Sequence, residues 1–88
     1  MKKNIYITSR IEMTEYTIII HPAEEGGYWA QVPTLPGCFS QGESIEEAMI
    51  NVKEAIELHI EGLMEEHEPV PVENDLIIGR IQVPQIEA

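Results

Sequence analysis

The stretch from Ser44 to Leu63 constrains this chain more than any other. Ile45, Ala48, Met49, Val52, Ala55, Ile56, His59, Ile60 and Leu63 recur there at steps of three and four. At about 100° per residue they fall within an arc of about 140°, a stripe wide enough to face a core. Ser44-Ile45-Glu46-Glu47 forms a capping box, in which the Ser44 hydroxyl accepts from a first-turn N–H and Glu47 reaches back. Glu46, Glu47, Asn51, Glu54, Glu57, Glu61 and Glu65 occupy the opposite face. The pattern predicts a helix of about twenty residues, weakened by Gly62 and stopped by Pro69 and Pro71. A helix with one apolar stripe must lie on another element to be stable.

That element is written upstream as strands. Residues 16–21 (YTIIIH) are rich in β-branched side chains and read as a buried strand closed by Pro22. Ala23-Glu24-Glu25-Gly26-Gly27 is a polar hairpin loop whose glycines accept positive φ. Tyr28 to Val32 reads as a second strand, with Tyr28, Ala30 and Val32 on one face and Trp29 and Gln31 on the other. Pro36-Gly37 suits the centre of a type II turn, and a short third strand follows from Cys38 to Gln41. Beyond the helix, residues 77–83 (IIGRIQV) read as a last strand before Pro84. The expected architecture is α+β: a three- to four-stranded, mainly antiparallel sheet with one long helix on one face, in the order β-β-β-α-β.

Eighty-eight residues make one domain, expected over residues 16–88. Residues 1–15 form either an N-terminal extension or an extra strand. Ile5, Ile7, Ile11 and Met13 alternate with polar residues there, and Met13 is also a natural start for the domain itself. Both readings are compatible.

Charge narrows the partners. After Arg10, sixteen acids face only Lys53 and Arg80, a net charge of −14. Binding nucleic acid requires Lys and Arg to displace condensed counterions, so direct nucleic-acid binding is not expected. A basic protein would be drawn to such a surface, although acidity also serves solubility. Cys38 is the single cysteine, so no internal disulfide and no cysteine-rich zinc site is possible. The longest apolar runs fall far short of the roughly twenty residues that cross a bilayer. With no secretory pattern after Lys2-Lys3, the expected compartment is the cytoplasm.

No catalytic, cofactor or metal set emerges. His21, His59 and His67 lack neighbours at metal-ligand spacing, and His59 inside the stripe reads as a hydrogen-bonded core or interface histidine. Glu54, Glu57 and Glu61 could hold a divalent ion, but they share a face that reads as solvated. Two features do not fit a bland monomer. Ile50 and Leu58 sit in the middle of the polar helix face, among Glu54, Glu57 and Glu61, and Trp29 faces away from Tyr28, Ala30 and Val32. These six residues, Trp29, Ile50, Glu54, Glu57, Leu58 and Glu61, are the candidate protein interface.

Taken in order, several segments resemble the N-terminal domain of the HicB antitoxin family over about residues 16–71. They are the first strand, an acidic Gly-Gly hairpin, Tyr28 and Val32, Leu35-Pro36-Gly37-Cys38, Gln41-Gly42, and the helix opening Ser44-Ile45-Glu46-Glu47-Ala48. The helix continues through Ala55 and Leu63 to Glu68-Pro69-Val70-Pro71. The resemblance implies a partial ribonuclease H-like fold in which the final strand returns beside the first. It also implies an antitoxin that neutralises a HicA-type toxin, a small basic ribonuclease, by covering its active surface. Many family members carry a C-terminal DNA-binding domain. Here about seventeen residues follow Pro71, so none is expected. Two other functions remain open: an orphan oligomer with a different partner, and a metal-dependent nuclease. A domain this small is expected to self-associate to a homodimer or higher, through the N-terminal arm or through Trp29, Ile50 and Leu58.

Overall fold

The computed structural model describes residues 13–86. Strand β1 spans Ile19–Pro22, β2 Tyr28–Gln31 and β3 Phe39–Gly42, and helix α1 spans Ile45–Glu65. The sheet is antiparallel in the order β1-β2-β3, with Ile20 opposite Ala30 and Ala30 opposite Ser40. The expected meander followed by one long helix is therefore the architecture found.

Local chemistry accounts for each joint. In the first hairpin, Gly26 and Gly27 take φ of +106° and +76°, and the Ala23 N–H donates to the Gly27 carbonyl at 2.9 Å. Gly37 has φ of +85°, and the Cys38 N–H donates back to the Leu35 carbonyl at 3.0 Å, as a type II turn requires. The Val32 N–H donates to the Cys38 carbonyl at 3.1 Å and closes this loop on itself. Leu35, inside the loop, becomes fully buried.

The helix start follows the capping-box reading with one difference. The Glu47 N–H donates to Ser44 Oγ at 3.1 Å, but the Glu47 carboxylate accepts from the Glu43 N–H, one residue earlier than expected. The C-terminus ends in a Schellman arrangement. His67 takes the left-handed conformation at φ +57°, its N–H donates to the Met64 carbonyl, and the Glu68 N–H donates to that of Leu63.

Ala30, Val32, Leu35, Cys38, Ala48 and Val52 form the core, with Tyr16, Ile18, Ile20, Ala55 and Ile56 half-buried around it. The Tyr28/Ala30/Val32 face of β2 meets the helix, as its alternation implies. The apolar stripe is only partly covered, since Ile45 and Met49 remain exposed. The helix lies across β3 and β2 and hardly touches β1.

Residues 77–83 depart from expectation. They form no strand beside β1; residues 76–86 carry no regular structure, and Ile77 and Ile81 are each 89% exposed. A strand needs a partner that offers backbone groups, and the chain leads this segment away from its own sheet. The described residues span 71 × 28 × 23 Å, with a radius of gyration of 17.8 Å. A compact chain of this length would have about 12 Å. Of the expected N-terminal arm or strand, residues 1–12 lie outside the described residues, and residues 13–15 are exposed without regular structure.

Candidate functional site

Helix α1 presents its second face to solvent. Ile50 and Leu58 are 63% and 67% exposed, in the middle of a surface that also carries exposed Glu46, Glu47, Glu54, Glu57, Glu61 and Glu65. Glu54, Glu57, Leu58 and Glu61 line one shallow depression together with Ile60 and Met64. Lys53 lies 3.6 Å from Glu57, an exposed pair one turn apart. It offsets little of the field, because such a pair is worth only about 0.3–0.5 kcal/mol and screens readily. The face is thus anionic with apolar knobs. It can desolvate against a partner that supplies positive charge at its rim and an apolar surface at its middle.

Trp29 does not belong to that surface. The alternation of β2 that buries Ala30 turns Trp29 outward, onto the sheet face opposite the helix. Its ring stacks on His21 of β1, with centroids 4.2 Å apart and planes 16° from parallel. His21 Nε2 is buried there without a hydrogen-bond partner. Phe39, 64% exposed, lines the same groove as Trp29, together with Ala23, Glu25, Ser40 and Gln41. The six candidate residues therefore divide between two layers: five on the helix and Trp29 on the outer sheet. Phe39 and Met64 were missed. Alternation from a buried Cys38 would have turned Phe39 outward, and Met64 lies two turns beyond Glu57 on the helix.

The remaining titratable groups explain structure. Cys38 is buried in the core, and the desolvation raises its thiol pKa above the ordinary value, so it is a packing thiol. His59 is half-buried within the stripe. Glu73 makes a clasp that no local pattern announces. Its carboxylate accepts from the Thr17 hydroxyl, from the Thr17 N–H at 2.7 Å and from the Thr34 hydroxyl at 3.1 Å. These bonds, the Thr17 hydroxyl foremost, hold its pKa below the usual carboxylate range. Tyr16 Oη donates to the Pro71 carbonyl at 2.7 Å and ties down the same crossing. Among the described residues, no group of three or more His, Cys, Asp or Glu side chains is gathered where it could hold a metal ion. No helix among them is long and apolar enough to cross a membrane.

Comparison with known proteins covers nearly all of this architecture. Residues 16–85 match the HicB-like antitoxins of bacterial toxin-antitoxin systems. A UPF0150 protein of Synechocystis is 47% identical over 72 residues, which cover 82% of this chain and 90% of that protein. A UPF0150 protein of Thermoplasma acidophilum is 50% identical over 60 residues, 68% of this chain and 87% of its own length. An uncharacterized protein from the rep-hol intergenic region of Haemophilus phage HP1 is 48% identical over 61 residues, 69% of this chain and 45% of that protein.

Proposed function

The chain belongs to the HicB-like antitoxin family, and we propose that it neutralises a HicA-type toxin, a small basic ribonuclease, by covering it with the outer face of α1. The observation that carries this reading is exposed Leu58 set among Glu54, Glu57 and Glu61, with Ile50 exposed at the neighbouring groove. An RNA-cleaving toxin must be basic to hold phosphates. An acidic face draws such a protein in quickly, and the two apolar side chains hold it once docked. The antitoxin acts by occupancy and not by catalysis, in the cytoplasm, and does not itself bind nucleic acid. Lys53 and Arg80 are the only Lys or Arg side chains among the described residues, too few to hold a phosphate backbone.

The test is to search the adjacent reading frame for a small basic protein and to co-express it with this chain. Wild-type chain should restore growth. The Glu54→Lys/Glu57→Lys/Glu61→Lys variant should bind about 10–100-fold more weakly at low salt, with a shallower salt dependence. Failure of the wild-type chain to restore growth sinks the proposal. RNA cleavage by the purified chain with Mg²⁺, abolished by changing His21 or His59, would replace it with an enzymatic function.

A further inference from the structure

Among the described residues, one edge of the sheet and one segment of the chain each lack a partner. No described strand pairs with the outer edge of β1. Beside it runs an open apolar groove lined by Tyr16 and Ile18 on the sheet side and by Met49, Val52, Ile56 and Ile60 of the helix. This is the site of the absent fourth strand. Residues 76–83 have strand chemistry and no strand. In an extended chain Ile77, Gly79, Ile81 and Val83 share one face, while Ile78, Arg80 and Gln82 share the other.

The chain's own arm is led away from its own edge. The Glu73 and Pro71 bonds fasten it at Thr17 and Tyr16, and from there residues 72–76 lie beside residues 13–15, upstream of β1. To reach β1 the arm would have to reverse immediately after this clasp. We propose that residues 77–83 of one copy add as a strand to β1 of a second copy, which returns its own arm to the first.

Two further features favour a second copy as the occupant. The folded bodies are strongly acidic and repel each other, but residues 76–86 carry one charge only, Arg80. The groove it would enter is rimmed by Lys53 and Glu57, which pair at 3.6 Å, so it presents little net charge to the uncharged Ile77/Gly79/Ile81/Val83 face. Two such strands seated in two grooves would cover on the order of 2,000 Å², the range of stable homodimers. The other free edge is less accommodating, since Asn51 Nδ2 already donates to the Gln41 carbonyl of β3 at 2.7 Å. This inference stands apart from the identity of the toxin.

Sedimentation equilibrium and hydrogen exchange on the full chain decide it. The wild-type protein should sediment at twice the 10.0 kDa chain mass. The amides of residues 77–83 and of Ile19–His21 should be protected together. Ile77→Asp/Ile81→Asp should become monomeric, with the dimer dissociation constant raised at least about 100-fold. It should lose both sets of protection while its helical circular dichroism stays unchanged, because the arm is exposed in the isolated chain. A wild-type monomer at about 50 µM overturns the proposal, as does a dimer unaffected by the double change. A monomer with residues 77–83 protected would show the arm folded onto its own sheet. Protection that appears only on adding toxin would give the arm to the toxin. Either result refutes the exchange.

Discussion

Where β3 turns into the helix, the molecule has no space for one methyl group; along β1 it leaves a whole groove open. A Cβ built on Gly42 would lie 2.5 Å from the Ala48 nitrogen and 2.8 Å from the Glu47 carbonyl carbon. Leu35, Ala30 and Val52 are sealed in the core under the same helix, Leu35 from the loop at the far end of β3. On the other flank Ile18 and Ile20 are half-buried, Met49 is 43% exposed, and the helix overhangs an edge without a neighbour among the described residues. The contrast teaches that one corner holds this fold together and that the opposite flank is shaped for addition.

The contrast can be broken first on the closed side of the molecule. Leu35→Ala should cost about 2–5 kcal/mol in urea unfolding, because it removes a fully buried side chain from a loop too closely tied to collapse. A cost under about 1 kcal/mol would show the corner to be as loose as the β1 flank. Gly42→Ala should cost about 1–3 kcal/mol, since backbone atoms must move to admit the methyl group. His67→Gly should instead raise stability by about 0.5–1 kcal/mol, by relieving a side chain held at positive φ. Met49→Ala on the open flank should shift the unfolding of the monomer by about 0.5 kcal/mol or less.

The seam between the flanks titrates. Glu73 has a depressed folded pKa, so its contribution is fully present above the unfolded value of about 4.3 and disappears as pH falls through the folded one. The stability difference between wild type and Glu73→Gln should therefore be constant near neutrality and shrink progressively on acidification below about pH 4. A difference that does not change with pH would mean that the clasp does not depend on charge.

What was legible in the sequence was what neighbouring residues decide among themselves. The Ser44 cap, the Gly26-Gly27 hairpin, the Pro36-Gly37 turn and the helix stripe each depend on groups a few residues apart. What depended on distant partners was not legible. Glu73 meets Thr17 across 56 positions and Thr34 across 39. Residues 77–83 carry a strand pattern but have no neighbour to pair with among the described residues. Leu35 lay inside a Pro-Gly loop, where burial is not expected. The candidate surface was half legible. Helical spacing put Glu54, Glu57, Leu58 and Glu61 on one depression, with Ile50 at the neighbouring groove, but no periodicity within one element could show that Trp29 lies behind the sheet.

Trp29 is the single tryptophan of the chain, stacked on an imidazole and 37% exposed on the side away from α1. The protein therefore carries its own optical probe of one layer. A partner seated on the helix would leave the indole's emission maximum and quencher accessibility unchanged, while one seated on the sheet would shift the emission to the blue and shield the ring. Paired with a tryptophan-free partner, one unlabelled fluorescence titration would report which side of the molecule is occupied.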